Sequence, residues 1–442
     1  MITRRIDIGD LEKIRERRGR SLEITTIKGF KDILPEETAV WQRVESEART
    51  VFKTFGFREI RTPLLESTDL FIRSIGEETD IVSKEMYSLT DSKGRGITLR
   101  PEATASMVRA YIQHRLYQDN PVQKLFTVGP MFRHERPQKG RFRQFHQINA
   151  EIFGDQGPRS DADIINMAMQ LLMSLGIKDL TLNLNSLGCK SCRAGFREDL
   201  RGYLAQRSDP LCPDCRRRAN TNPLRVFDCK VEGCRVAVSD APSILDYICD
   251  ECKGHFNRLQ GYLEELNIPF ILNNRLMRGL DYYSRTTFEI QTQSLGAQNA
   301  VAGGGRYDDL VKQLGGPDHP GIGFAIGIER LVTLLDGIDA GDNDSPELFI
   351  AWISEKAEDM VFKWINELRR SGIRVEAEYG LKGLKTQMRR ADRLGAKRTL
   401  IIGDDELAAG RGILRDMETK EQREVKLNNP AELLKEITGG RV

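Results

Sequence analysis

The stretch Phe126-Thr-Val-Gly-Pro-Met-Phe-Arg-His-Glu-Arg-Pro-Gln-Lys-Gly-Arg-Phe-Arg-Gln-Phe-His-Gln-Ile-Asn-Ala-Glu-Ile-Phe-Gly154 consists of two strand-like runs joined by a loop crowded with arginine. On the return run, alternation with period two sets Ile148, Ala150 and Ile152 on one face and Gln147, Asn149 and Glu151 on the other. One face is predicted to pack and the other to present hydrogen-bonding groups. An antiparallel hairpin with an ordinary wet face would show the same alternation. The loop argues for more, because Arg133, Arg136, Arg141 and Arg143 crowd together with Lys139 at a like-charge cost that a bound polyanion relieves.

With 442 residues, the chain is long enough for two or three domains and a large core. Its formal net charge is only +2, so a nucleic-acid partner must be gripped by local basic patches rather than by a global field. No apolar run approaches membrane-spanning length, and no membrane partner is expected. The residues through Glu23 are dense in charge of both signs, unlike a signal or transit peptide, and predict a cytoplasmic protein with a loosely helical or mobile arm over 1–24.

Upstream of the hairpin, Trp41, Val44, Ala48, Val51, Phe52 and Phe55 recur three and four apart and predict a helix from Pro35 stopped by Gly56. A strand is predicted over Phe57 to Thr62, ended by Pro63. Thr98 to Thr104 reads as a strand end turning into a helix whose first turn carries Pro101 and Glu102. Downstream, residues 161–266 hold all eight cysteines and many arginines, and predict an inserted, mostly helical module. Strand-like, glycine-rich sequence over 267–335 completes the first domain, and the acidic stretch 336–346 reads as a linker. Beyond it, strands at Leu348, Ile373 and Thr399 alternate with helices carrying Met360, Trp364 and Leu368, then Leu384, Met388 and Ala391, which predicts a small α/β domain over 347–442.

Two further segments bear chemistry. Arg278-Gly279-Leu280-Asp281-Tyr282-Tyr283 places a cation, a carboxylate and two phenols side by side. Ala302-Gly303-Gly304-Gly305-Arg306-Tyr307 and Gly321-Ile322-Gly323-Phe324-Ala325-Ile326-Gly327-Ile328-Glu329-Arg330 are glycine-rich without matching a P-loop or a dinucleotide fingerprint. Their glycines suit close backbone approach, and Arg330 falls at a predicted helix start, where phosphate is favoured.

In this order, these segments resemble the class II aminoacyl-tRNA synthetases, and among them the histidyl-tRNA synthetases. The helix and strand ending at Pro63 are similar to motif 1, Phe132-Arg133-His134-Glu135 through Glu151 to motif 2, and Gly321 to Arg330 to motif 3. Arg278 to Tyr283 and Gly304-Gly305-Arg306-Tyr307 resemble the histidine-specific signature. The resemblance implies an α+β catalytic domain built on an antiparallel sheet, split over 25–160 and 267–335 by the Cys-rich insertion, with an anticodon-binding domain behind it. It also implies a homodimer that joins L-histidine to tRNA(His) with ATP and Mg2+, through a histidyl-adenylate.

That reaction uses nucleophiles supplied by the substrates, so the protein's task is to position them and to stabilise charge on a pentacoordinate phosphate. By resemblance, Arg133 faces the α-phosphate, Arg330 the γ-phosphate, Phe142 the adenine, and Arg278 the α-phosphate and carboxylate, with Arg278 and Arg133 catalytic. Glu102, Thr104 and Gln147 resemble the ligands of the α-amine and carboxylate, while Glu151, Tyr282 and Tyr283 resemble the imidazole wall. A catalytically silent relative, such as the regulatory subunit that accompanies ATP phosphoribosyltransferase, is expected to lose both the signature and the anticodon domain; this sequence carries both.

Cys189-x-x-Cys192, Cys212-x-x-Cys215, Cys229-x4-Cys234 and Cys249-x-x-Cys252 form four close pairs, which in a reducing compartment favour structural Zn2+ over disulfides. Eight thiols suffice for two four-cysteine sites, with the pairing left open; the alternative is free thiols in a helical insert. Near the C-terminus, Lys385, Arg389 and Arg390 stand in a cluster opposed within its helix by Asp392 alone, and the resemblance makes them tRNA phosphate contacts.

Overall fold

The computed structural model describes residues 24–77, 79–138, 140–295, 299–335 and 345–430, together with 433 and 435. Apart from Ile24 and residues 345–346, the expected arm and linker lie outside these residues, as does Lys139. Two compact units result, Met1–Asp339 and Ala340–Val442.

An eight-stranded sheet organises the first unit. Its strands run in the spatial order Arg58–Glu59, Gln123–Phe132, Gln144–Phe153, Gly321–Gly327, Ala300–Arg306, Ser284–Thr292, Leu180–Ser186 and Phe270–Leu272. Only the two edge pairs are parallel; every pairing between them is antiparallel. Because the side-chain period is two, partners across the sheet share a face. Ala150, Phe324, Gly304, Phe288 and Leu184 form one cross-strand row, and Ile148, Ile326, Ala302, Ile290 and Leu182 the next. These rows meet helices Pro35–Thr54, Pro158–Ser174, Asp250–Glu265 and Ile328–Leu334 in one core. The opposite face is left to the site.

Two local expectations are corrected. The first helix ends at Thr54 and is followed by Gly56, whose φ of 78° favours glycine, but the strand expected over 57–62 shrinks to Arg58–Glu59. One more bond, from the Ile60 N–H to the Phe126 carbonyl at 2.8 Å, extends the ladder before Pro63, which has no N–H to continue it. The inserted module also starts later than 161. Helix Pro158–Ser174 buries Ile164, Ile165, Ala168, Leu171 and Leu172 in the main core, and Leu180–Ser186 is a strand of the main sheet. The chain leaves the sheet only at Leu187, and helix Asp250–Glu265 already returns Phe256, Leu259 and Leu263 to the core. A buried helix and a helical insert have the same apolar spacing, so texture alone misplaced the boundary.

The C-terminal unit is a five-stranded sheet ordered Val375–Ala377, Leu348–Trp352, Arg398–Ile402, Arg411–Asp416 and Gln422–Lys426, parallel over the first three. The last two strands are a hairpin that the polar sequence did not signal. Buried Gln387 fixes helix Leu384–Arg393 to the sheet, donating from Nε2 to the Trp352 and Lys382 carbonyls at 2.6 and 2.7 Å and accepting the Trp352 N–H at 3.1 Å.

One polar cluster locks the first unit. Arg306 and Asp161 have no exposed side-chain surface, and Arg306 also donates to the carbonyls of Asp155 (2.8 Å) and Gly157 (3.0 Å) and to Ser160 Oγ (2.9 Å). Asp161 Oδ2 meets His255 Nε2 at 2.9 Å, joining a third element. Removing one partner of such a pair strands the other charge. Asp161→Ala is therefore expected to cost about 3–5 kcal/mol, read from the denaturant unfolding of the larger unit, with Asp161→Asn costing less because it still accepts from Arg306.

Candidate functional site

The free face of the sheet carries two cross-strand rows that the core does not use. One is Asn149, Ala325, Gly303, Glu289 and Asn183; the other is Glu151, Gly323, Gly305, Thr287 and Asn185. Three glycines sit among acids and amides, so the floor is low and polar. Above it opens a cavity of about 620 Å³. Seven arginine or lysine and eight aspartate or glutamate residues line it, so selectivity must come from where each charge is held rather than from net charge.

At the acidic end, Glu151 is almost completely buried. Its Oε1 accepts from the Thr104 hydroxyl at 2.7 Å and its Oε2 from the Tyr307 hydroxyl at 2.5 Å. A Cβ on Gly323 would collide with this carboxyl, which is why the neighbouring strand offers glycine there. Burial pushes the Glu151 carboxyl up to about 8, although the two hydroxyls act to lower it. Buried Glu102 spends its oxygens on the first turn of helix Thr104–Gln113, accepting the N–H groups of Thr104 (2.7 Å) and Ala105 (2.8 Å), and burial raises its carboxyl as well. Two carboxyls held out of water in one cavity favour a ligand bearing N–H donors or positive charge. Tyr282 closes this end, with ring centroids 4.8 Å from Tyr283 and 5.6 Å from Tyr307.

At the basic end, Arg278 lies flat over Gly303, where any Cβ would strike its guanidinium. Its Nη1 donates to Glu289 Oε2 at 2.8 Å, while 24% of its side chain stays open. Arg133 donates to the Pro101 carbonyl at 2.8 Å and sits 5.3 Å over the Phe145 ring. Arg330, in helix Ile328–Leu334, donates to the Ala300 carbonyl; burial, and then the like charge of Arg141, lower its pKa. The adjacent Glu329 accepts the His146 main-chain N–H at 2.8 Å and so ties this helix to the return strand. Buried Gln147 Oε1, Asn149 Oδ1 and Arg278 Nε have no partner among the described residues, and all three belong to the cavity lining. Unpartnered polar atoms of this kind in a polar cavity mark a ligand site.

Glu102, Thr104, Arg133, Gln147, Glu151, Arg278, Tyr282, Tyr283 and Arg330 are thus brought to one cavity. Phe142 is not; it is half-buried outside the lining, and the nearby aromatic that lines the cavity is Phe145, already in the return strand Gln144–Phe153. Of the crowded arginines, only Arg133 and Arg141 enter. Arg141 pairs with Glu135 at 3.2 Å, Arg136 is exposed, and Arg143 turns away to the Glu135 and Lys28 carbonyls at 3.3 and 3.5 Å. Sequence reasoning placed Tyr307 in the histidine signature without its contact to Glu151 and missed Glu289; their partners come from other strands, and register alone reveals them. The cysteines gather as Cys189, Cys192, Cys249 and Cys252, and as Cys212, Cys215, Cys229 and Cys234, each set with sulfurs within 4.8 Å of one another. In the C-terminal unit Lys385 and Arg389 are exposed, whereas Arg390 is half-buried and paired with Glu378 at 3.0 Å, a partner the helix sequence alone did not show.

Comparison with known proteins gives a consistent result. A family model described as histidyl-tRNA synthetase matches residues 29–194 and 220–331, and one described as anticodon binding domain matches 347–437. The histidine–tRNA ligase of Desulfatibacillum aliphaticivorans is 54% identical over 405 residues, 92% of this chain and 97% of that protein. That of Geobacter sulfurreducens is 52% identical over 415 residues, 94% and 100% of the two chains. The crystal structure of apo S. aureus histidyl-tRNA synthetase superposes with a TM-score of 0.77 at 36% identity, covering 94% of this chain and 99% of that one. A structure described as an ATP phosphoribosyltransferase regulatory subunit/histidyl-tRNA synthetase from Bacillus halodurans shares the fold, with a TM-score of 0.63 at 19% identity over 87% of this chain and 99% of that one.

The contact between Arg278 and Gly303 is testable by a double-mutant cycle. Gly303→Ala should cost about 1–3 kcal/mol through overpacking and almost nothing in the Arg278→Ala background, where the obstructing guanidinium is gone. Equal costs in the two backgrounds would show that Arg278 does not rest on this glycine.

Proposed function

The chain belongs to the histidyl-tRNA synthetase family and attaches histidine to tRNA, and from that premise we propose how its residues divide the work. The observation that carries the reading is the polarity of this cavity, with buried carboxyls at one end and converging guanidinium groups at the other. Histidine fits the acidic end. Glu102 and Gln147 receive its α-amine, and Glu151 accepts from the imidazole with Tyr282 and Tyr283 as walls. A pocket that bonds ring nitrogens rejects apolar isosteres, which would leave buried groups unpaired.

ATP lies along the basic end, with Arg133 and Arg278 at the α-phosphate and Arg330 at the γ-phosphate. The histidine carboxylate attacks the α-phosphorus and pyrophosphate departs, leaving histidyl-adenylate. A terminal ribose hydroxyl of the tRNA then attacks the acyl carbon and AMP departs. Fixed guanidinium groups stabilise the charge that develops at phosphorus without reorganising during the step. Mg2+ accompanies the triphosphate, and the eight thiols hold structural zinc outside the chemistry. Lys385 and Arg389 contact tRNA phosphates, with Arg390 held back by Glu378. We place the enzyme in the cytoplasm as a homodimer; exposed Ile27, Leu34, Leu64 and Leu65 beside the motif 1 helix and strand support an apolar partner surface. No helix among the described residues is long and apolar enough to cross a membrane. The anticodon-domain match and the occupied signature positions favour catalysis over the regulatory reading.

Histidine-dependent exchange of pyrophosphate into ATP tests this directly. Arg278→Ala should slow exchange by about two orders of magnitude or more with little effect on tRNA affinity. Replacing Lys385 and Arg389 with alanine should weaken tRNA binding and reduce its salt dependence while leaving exchange intact. If both variants lost the same property, the assignment of roles would fail.

The raised Glu151 carboxyl gives a pH dependence with a definite sign. An imidazole N–H stabilises the carboxylate, so its pKa falls on binding, and histidine binding releases a proton between the bound value and about 8. Between about pH 7 and 8, where the imidazole of free histidine, with a pKa near ~6.5, is mostly neutral, affinity should therefore rise with pH and then level off. Glu151→Gln should abolish the rise. A histidine KM that climbs with pH over this window would contradict the role.

A further inference from the structure

Each cysteine cluster has the geometry of a metal site. A tetrahedral zinc with Zn–S bonds of about 2.3 Å holds its sulfurs roughly 3.8 Å apart. Here Cys189 and Cys192 stand at 3.5 Å and Cys212 and Cys229 at 3.9 Å, well beyond a sulfur–sulfur bond of about 2.05 Å. In each cluster a main-chain N–H points at a sulfur, from Cys249 to Cys192 Sγ and from Cys212 to Cys234 Sγ, both at 3.1 Å. Such N–H donors stabilise thiolate ligands. The chain between Gln206 and Ile248 buries Leu211, Val226, Val238 and Ile244 in a cluster shared with Phe196, Leu200, Tyr282 and Tyr307, so it packs on the elements of the site, and a metal cross-link at the cysteines would fix how it sits there.

The second cluster also lies next to a segment that contacts the histidine signature. Cys215 and Cys229 bracket residues 216–228, the end of helix Pro213–Thr221 and the short 3-10 turn Pro223–Val226, and that segment grips the histidine signature. Arg225, with only 7% of its side chain exposed, donates to the Gly279 carbonyl at 2.7 Å and to Asp281 Oδ1 at 3.2 Å. Asn222 Nδ2 donates to the same Oδ1 at 3.0 Å. Gly279 and Asp281 are the residues that follow Arg278 and precede Tyr282, so this helical segment sets the main chain on which both are mounted.

We propose that both clusters bind zinc, and that the ion held by Cys212, Cys215, Cys229 and Cys234 positions the active site by clamping the helical 216–228 segment onto Gly279 and Asp281. The inference rests on the synthetase reading for its catalytic consequence, but not for the metal. Zinc acts here through Arg225 and Asn222; it touches neither substrate.

The full chain, purified without chelator, should carry about two zinc equivalents, one for each cluster. Cys229→Ser should lose one equivalent, speed amide hydrogen exchange over residues 277–283, and slow histidine-dependent pyrophosphate exchange on the order of 100-fold, the scale of a misplaced catalytic group. Cys229→His, which restores a zinc ligand, should recover all three. Since Cys229→Ser could unfold the module, Arg225→Ala provides the second arm: it should keep both zinc equivalents yet reproduce the faster amide exchange and the slower reaction. Fewer than one zinc per chain in the unsubstituted protein would overturn the metal sites. Unchanged amide exchange over 277–283 in Arg225→Ala would overturn the clamp. Zinc and amide exchange as expected, in a protein with no pyrophosphate exchange, would support the clamp and overturn the synthetase reading instead.

Discussion

The structure of the site depends on a carboxylate taken out of water. Glu151 sits on the sheet with one oxygen bonded to a helix residue, Thr104, and the other to Tyr307, just past the end of a different strand. Burying a carboxyl costs free energy unless its oxygens are satisfied, so these hydroxyls are needed, and their positions fix the helix and both strands relative to one another. The same demand explains the glycine opposite: Gly323 leaves the space the carboxyl fills. Gly303 does this for Arg278 at the other end. A low floor with acid at one end and guanidinium at the other follows from two cross-strand rows in a single register.

Much of this could be read from the residues because alternation is a strong signal. Gln147, Asn149 and Glu151 could be assigned to the free face from spacing alone, and the Arg278 to Tyr283 block was recognisable as a unit. The clustering of cysteines in four pairs was equally plain. What spacing could not supply was long-range pairing. Glu289 as the partner of Arg278 and Tyr307 as the partner of Glu151 depend on which strand lies beside which. The union of Cys189 and Cys192 with Cys249 and Cys252 depends on the chain returning after about sixty residues. Loop side chains were the least legible: Arg143 and Phe142 sit next to Arg141 in sequence, yet only Arg141 faces the cavity, because a loop has no fixed period. The boundary at 161 failed for a related reason, since apolar periodicity says that a helix is buried but not against what.

The histidine signature is held from two sides. From the sheet, Glu289 and Gly303 set the guanidinium of Arg278; from the inserted module, Arg225 and Asn222 set the main chain just beyond it. Apolar packing joins that module to the main unit through Phe196, Leu200, Leu204 and Leu211, and the thiol clusters lie beside the segment that carries Asn222 and Arg225. The C-terminal unit follows a different logic: its helix Leu384–Arg393 spends Gln387 and Ala391 on the sheet and leaves Lys385 and Arg389 in water, suited to a salt-dependent contact with phosphates.

The central claim is that one cavity holds an imidazole at its carboxyl end and a triphosphate under its arginines. A crystal structure with L-histidine and a non-hydrolysable ATP analogue tests it most directly. The account predicts an imidazole nitrogen within hydrogen-bonding distance of Glu151, with Arg133, Arg278 and Arg330 all on phosphate oxygens. An imidazole bound elsewhere, or those three arginines directed at different regions, would contradict it.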